Sequence, residues 1–459
     1  MTNVVLIHTD DTGRYIGPYG HDVATPALDE LADEGVCFRN AYTAGPTCSP
    51  SRSAVMTGQP PHVNGMLGLA HRGFALNDPS RHLATHLSDH GYETVLAGQQ
   101  HEAHVETGDR YDAATEVLGY DRTLERDREG TRDLPIEHEH TRTDLATAAA
   151  AVSYLQERDD RNDPFFLSVG LDNSHQPLPL DQDLVDPDGV VPPGPLPDVP
   201  PVREETAALQ VAVSYIDECV ARVVGTLRET GQLDETLVVF TTDHGVPLPF
   251  MKCTLFDDGI GISLLARFPD GENDGTTRDE LVSNPDLYPT ICSVLDVPVP
   301  EETAGQSLLG LVDGTTDWDR DEVYSEVNYH AAYEPKRCIR TDRYKYIRRF
   351  DDDYPQWIPA NIDAGPSKSF LVDAGLLDRE RPQEALYDCH LDPAERENLI
   401  DDPDYAAVRD DLSTRLDDWM ERTDDPLLSG PVSKPDGARA DTRDAIHPDN
   451  GEWEPADAR

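Results

Sequence analysis

The chain runs to 459 residues and carries 89 Asp and Glu against 38 Lys and Arg, a formal charge of −51. A surface of that sign repels nucleic acid and anionic membrane, so neither is expected as a partner, and its self-repulsion is tolerable where salt screens it, as in a salt-rich, halophilic cytoplasm. The length exceeds the usual single domain, which predicts one large domain with a smaller one appended.

In chain order, "NVVLIH" at residues 3–8 predicts a buried strand and 26–34 a helix capped by Thr25. In "PTCSPSRSAVMTG", residues 46–58, Pro50 suits a first helical position, Ser49 suits the cap before it, and Cys48 falls at the helix mouth. A helix over 81–90, a strand over 92–97, a helix over 142–157 and the strand "FFLSVG" at 165–170 follow. The stretch "VVPPGPLPDVPP", 190–201, predicts an extended loop because its prolines oppose helix. Beyond it, 203–230 is a long helix with Leu209, Val213, Ile216, Val220, Val223 and Leu227 at helical spacing, and 236–241 is another strand. This alternation is that of an α/β fold, a doubly wound, mostly parallel sheet flanked by helices. After about residue 320, "EVYSE", "RCIRTD" and "RYKYIRR" are short strands and 404–421 a helix, a small C-terminal α+β subdomain. The expected division is 1–318, 319–425 and an acidic, solvated, flexible tail over 426–459, where large apolar groups are few.

Seven cysteines occur singly with no C-x-x-C pair, which indicates neither a disulfide framework nor a zinc finger and fits a reducing compartment. The chain opens on a strand rather than a charged and apolar leader, and no window reaches the length of a membrane span, so a soluble, cytoplasmic protein is expected.

Four predicted strands end in chemistry. The first runs into Asp10 and Asp11, the second into "GQQH" with Gln99 and His101, the third into "LDNSH" with His175, and "TLVVFTTD" into Asp243 and His244. In open parallel sheets the binding crevice lies outside the carboxyl ends of the strands, so these groups are expected to converge. Each alone has an ordinary explanation as a turn or a loop histidine. Together, three close carboxylates call for a cation, and hard oxygen ligands suit Ca²⁺ or Mg²⁺. At the helix mouth, Cys48 occupies a position that favours a nucleophile or an anion, with a buried structural cysteine as the plain alternative.

"CSPSR" at 48–52, followed by "MTGQPPHVNGM", resembles the signature of the formylglycine-dependent sulfatases of the alkaline-phosphatase-like superfamily. The resemblance continues through "GYETVLAG", "LPDVPPVREE", "DETLVVFTTDHG", "KCTLFDDGIGISLLARFP", "RCIRTDRYKYIRRF" and "ALYDCHLDPAERENL", and the spacing in "DHGVPLPFMKCTLF" is most similar to the sulfamidase branch, which acts on N-sulfated glucosamine. It implies that Asp10, Asp11, Asp243 and His244 hold a divalent metal touched also by Cys48, and that a maturation enzyme oxidises Cys48 to formylglycine. It implies further that Arg52 steadies that residue, that His101 and His175 move protons, and that Lys252, Gln99 and His175 meet the substrate. A hydrated aldehyde has two hydroxyls; one can attack sulfur and the other can lose its proton to expel sulfate, a step that serine or thiol lacks.

Two positions depart from the family pattern. Gln99 stands where lysine is usual, so one sulfate-binding cation is replaced by a neutral amide. His244 stands where asparagine is common, and imidazole is a less usual ligand for Ca²⁺, the first candidate metal, than for Mn²⁺. The expected function is hydrolysis of sulfate from a sulfated sugar or small molecule; the alternatives are a phosphate or phosphonate ester hydrolase of the same superfamily and a catalytically silent binding protein.

Overall fold

Every residue of the strand Asn3–Thr9 is buried, and its side chains alternate between two cores. Val4 and Leu6 join a cluster on one face of the sheet, Val5 and Ile7 a cluster on the other, as the period of two requires of a strand covered on both sides. The computed structural model describes residues 2–104, 110–124, 138–158, 163–179, 184–271 and 275–448. The central sheet has eight strands in the order Arg122–Leu124, Glu93–Gly98, Phe165–Leu171, Asn3–Thr9, Thr236–Thr242, Leu264–Arg267, Val36–Phe38 and Thr276–Arg278. All neighbours pair in parallel except at Leu264–Arg267, which is antiparallel to both of its partners. The doubly wound, mostly parallel α/β sheet is therefore present. The long helix, Pro200–Glu229, buries Leu209, Val213, Ile216, Val220, Val223 and Leu227 against the Val5 face.

The C-terminal lobe is an antiparallel sheet of Glu322–Tyr329, Tyr333–Thr341, Tyr344–Arg349 and Glu384–Asp388, with the helix Ala406–Arg422. Tyr329, Ile339, Tyr346, Leu416 and Trp419 from this lobe belong to the same apolar cluster as Val4 and Leu6. Among the described residues, no helix is long and apolar enough to cross a membrane.

Four local expectations are corrected. The helix at Cys48 spans Cys48–Thr57 with Thr47 at the cap, so Pro50 is its third residue and Ser49 lies inside the first turn, where its hydroxyl accepts from the Ala70 amide at 3.0 Å. A proline is tolerated there because the first-turn N–H groups have no helical partner. For the same reason Pro200 and Pro201 open the long helix instead of extending the loop before it. Thr25 occupies the cap of Pro26–Asp33, but its hydroxyl accepts from Gly17, and Asp217 takes the helix amides of Ala27 and Leu28. The segment from Pro426 is not a solvated tail up to residue 448. Ala440 and Ala445 are buried, the Asp441 amide donates to Ala331 O at 2.8 Å, and the Asp441 carboxylate meets Arg72 at 3.2 Å. The rest of the expected tail, 449–459, lies outside the described residues.

Candidate active site

Sheet hydrogen bonding runs one step past the strand ends: the Asp10 amide donates to Leu171 O at 3.0 Å and the Asp243 amide to Thr9 O at 3.1 Å. The acids therefore leave the sheet in fixed directions. Asp11 takes a left-handed turn, φ 56°, and its amide donates to Asp243 Oδ1 at 2.9 Å, joining two loops that are 232 residues apart in sequence. At the next strand end, Gly98 has φ 85° and a Cβ there would lie 2.2 Å from Gly170 O, so only glycine lets the chain turn to present Gln99 and His101.

The structure brings the expected residues together. Ligand atoms of Asp11, Cys48, Asp243 and His244 lie within 4.8 Å of one another, and those of Asp10, Cys48 and His101 do likewise. Arg52 Nη2 is 3.0 Å from Asp10 Oδ1 and its Nε 3.6 Å from Asp243 Oδ2. Lys252 Nζ lies between Asp11 Oδ2 at 2.9 Å and Asp363 Oδ2 at 3.1 Å. His244 donates from Nδ1 to Gly245 O at 3.0 Å, which leaves Nε2 as a lone pair facing Asp11 Oδ1 and Asp243 Oδ2, each 3.4 Å away. Three acceptors turned on one another, buried and with no hydrogen-bond donor among the described residues, are an arrangement that a cation resolves.

The electrostatics say the same. Burial opposes charge on Asp10, but Arg52 outweighs it and holds that carboxyl well below its usual range, whereas burial and the adjacent Asp10 push Asp243 well above. Burial lifts Asp11 to about 6 against the pull of Lys252. Burial, reinforced by Lys252, keeps His244 down at about 3, so its imidazole is neutral and available as a ligand.

A cavity of about 390 Å³ opens above the cluster, lined by residues that include Asp10, Gln99, His101, His140, Asp172 and His175. His101 Nδ1 lies 3.6 Å from Asp10 Oδ2, and His175 Nε2 lies 4.0 Å from Asp11 Oδ2. Gln99 Nε2 is 2.5 Å from His101 Nε2. Several participants are absent from the sequence reading. His8 accepts from Arg52 Nη1 at Nδ1, 2.5 Å away, and its Nε2 meets Ser168 Oγ at 2.8 Å. The one polar side chain ending an apolar run was a usable signal for it. Asp363 has no such signal, since it sits in a loop far along the chain from its partner Lys252.

Comparison with known proteins agrees with this geometry. Residues 2–297 match the family model described as Sulfatase, and residues 243–368 match N-sulphoglucosamine sulphohydrolase, C-terminal. The chain is 29% identical to N-sulphoglucosamine sulphohydrolase of Homo sapiens over 94% of its own length and 92% of that protein's. It is 28% identical to an ulvan-active sulfatase of Formosa agariphila, over 95% and 84% respectively. Among solved structures, the phosphonate monoester hydrolase of Agrobacterium radiobacter is similar with a TM-score of 0.71 and 20% identity, covering 95% of this chain and 100% of that one. That last likeness is one of fold.

Proposed function

The chain belongs to the sulfatase family of sulfuric ester hydrolases, and from that premise we propose that it removes sulfate from a sulfated sugar, with Cys48 as the formylglycine precursor and Asp10, Asp11, Asp243 and His244 as the seat of a divalent cation. The observation that carries this is the mutual approach, within 4.8 Å, of ligand atoms from Asp11, Cys48, Asp243 and His244 at the mouth of a helix. When present, the cation supplies positive charge to the carboxylates and the sulfate oxygens, and the aldehyde hydrate supplies a nucleophile with a second hydroxyl.

The chain's own residues then have defined tasks. Arg52, tied to His8, Asp10 and Asp243, is a fixed positive charge one helical turn after Cys48. Lys252 adds a second, oriented by Asp11 and Asp363. His175 donates from Nδ1 to Gln176 O at 2.7 Å, which turns Nε2 toward Asp11 and the cavity, so that the imidazolium form would carry at Nε2 the proton for the departing oxygen or nitrogen. His101, kept neutral at about 3 by burial, stands on the cavity wall beside Asp10, the position from which it would take the proton of the second hydroxyl. Gln99 orients His101 without adding charge.

The C-terminal family match and the human relative support N-sulfated glucosamine within this substrate class. Three carboxylates favour Ca²⁺, and the imidazole of His244 admits Mn²⁺. The test combines mass spectrometry of the Cys48 peptide with sulfate release from N-sulfoglucosamine and from an aryl sulfate, before and after chelation. Aldehyde at position 48, sulfate release and its loss on chelation are expected. Full sulfatase activity with an unmodified thiol, or turnover of phenylphosphonate without any sulfate release, would overturn the proposal.

A further inference from the structure

The tasks assigned above leave part of the cavity wall unused. Asp172 and His140 line the same cavity as His101 and His175, and hydrogen bonds from the neighbouring backbone fix their direction. Asp172 directly follows the strand Phe165–Leu171. Its amide and that of Asn173 donate to the carboxylate of Asp144, at 3.0 and 2.9 Å. Asp144 lies one turn beyond His140 on the helix Glu139–Glu157, so both project from the same face. His140 Nδ1 then stands 3.4 Å from Asp172 Oδ1. Asp172 is 8% exposed, and its buried Oδ1 faces His140 without a well-aligned hydrogen bond from the described residues.

A carboxylate has room for about four hydrogen bonds, so this one keeps accepting capacity on a wall already fixed in direction. Burial opposes its charge, but His140 outweighs that and holds the Asp172 carboxyl below its ordinary range. The natural complement of a fixed, ionised acceptor on a sugar is a hydroxyl, not a second anion. The wall itself carries two carboxylates, Asp10 and Asp172, and no lysine or arginine among the described residues. Asp10 is answered by Arg52 at 3.0 Å, so it is beside Asp172 that a further sulfate or carboxylate on the sugar would meet a like charge at close range.

We propose that Asp172, steadied by His140, is the residue through which the cavity recognises sugar hydroxyls, and that the substrate class is a singly sulfated sugar without a second anionic group. This rests on the sulfated-sugar function proposed above. Asp172 is the binding residue and His140 a positioning residue that acts through it.

The test measures affinity by calorimetry in the Ca²⁺-loaded Cys48→Ala protein, which cannot turn over, with three probes: glucosamine N-sulfate, glucosamine 2-N,6-O-disulfate and methylumbelliferyl sulfate. Asp172→Ala is expected to weaken glucosamine N-sulfate roughly 10- to 100-fold and the aryl sulfate, which has no sugar hydroxyls, several-fold less. Asp172→Asn, which removes charge but keeps an acceptor, is expected to improve the disulfate relative to the monosulfate about tenfold. His140→Gln, on a partly exposed wall, provides a second variant and is expected to shift the ligand ratios in the same direction as Asp172→Ala. Equal shifts for all three probes, or none, in variants that keep the parent melting temperature would overturn the inference. Sulfate release by the oxidised wild type separates the two failures: release with unmoved ratios sinks this inference alone, and no release from any probe sinks the function beneath it.

Discussion

Two buried acidic clusters in this molecule are alike in composition and opposite in meaning. At the rim of the parallel sheet, ligand atoms of Asp11, Cys48, Asp243 and His244 lie within 4.8 Å of one another, and beneath the antiparallel sheet those of Asp257, Cys389 and Glu395 are just as close. In the second cluster, Lys345 Nζ sits 2.5 Å from Asp257 and 2.9 Å from Glu395, and Arg340 lies 3.0 Å from Asp257, so two cations answer two acids. At the rim, Asp10, Asp11, Asp243 and Asp363 share Arg52 and Lys252 among the described residues. Closeness of acids therefore does not mark a metal site. A deficit of positive charge does, because a buried anion without a partner costs several kcal/mol and an added cation removes that cost.

The largest test of this contrast is loss of the rim's ligands. Chelation, or Asp243→Ala, is expected to lower sulfate release by four or more orders of magnitude, about 5 kcal/mol in activation free energy. Added divalent cation is also expected to raise the melting temperature of the wild type and not that of Asp243→Ala, as calorimetry would show. Lys345→Met attacks the other cluster by stranding Asp257 and Glu395. Chemical denaturation is expected to show a loss of about 3–5 kcal/mol, with the cation response intact. If Lys345→Met abolished that response, the two clusters would not be separable.

A third test uses pH on a matched charge elsewhere in the lobe. Burial opposes ionisation of Glu334, but Lys336 and Arg381 outweigh it and hold the carboxyl at about 2, against 4.5 for the free side chain. Because the folded value is the lower one, the stabilisation is complete above about 4.5 and drains away as pH falls toward about 2. Glu334→Gln is expected to cost about 2–3 kcal/mol at pH 7, with the difference from wild type shrinking below pH 4.5 in denaturation experiments. The smallest effect belongs to the exposed pair Arg222–Glu218 on the long helix. Arg222→Ala is expected to change stability by less than about 0.5 kcal/mol.

What could be read from sequence divides along the same physical line. Strand ends carrying Asp10, Asp11, His101, His175, Asp243 and His244 were legible because apolar runs mark buried strands and parallel topology sends their carboxyl ends to one crevice. Cys48 and Arg52 were legible from the resemblance of "CSPSR" to the sulfatase signature, since the helix start alone left a buried structural cysteine as the plain alternative. Asp363 was not, because its place beside Lys252 is set by how the C-terminal lobe docks, and no local periodicity records that. The helix starts at Cys48 and Pro200 were misjudged because proline is costly inside a helix but free in its first turn. The segment after Pro426 was misjudged because its buried groups are few and scattered: Leu427 and Val432 join the main apolar cluster, while small or polar groups such as Ala445 and Asp441 are held by main-chain hydrogen bonds and one ion pair.

Cys48 is 3% exposed, enclosed by the first loop and the Asp243 loop. If Cys48 is the formylglycine precursor proposed above, an enzyme that modifies this side chain would have to reach it before the fold closes around it. At synthesis rates of roughly 5–20 residues per second, the interval between the appearance of Cys48 and that of Asp441, which clamps Arg72 next to the cavity wall, is roughly 20–80 s. Faster translation or tighter early folding shortens that window. The fraction of active molecules in a preparation would then be fixed by the history of each chain during its synthesis, and no later adjustment of salt or metal would recover molecules that closed too soon.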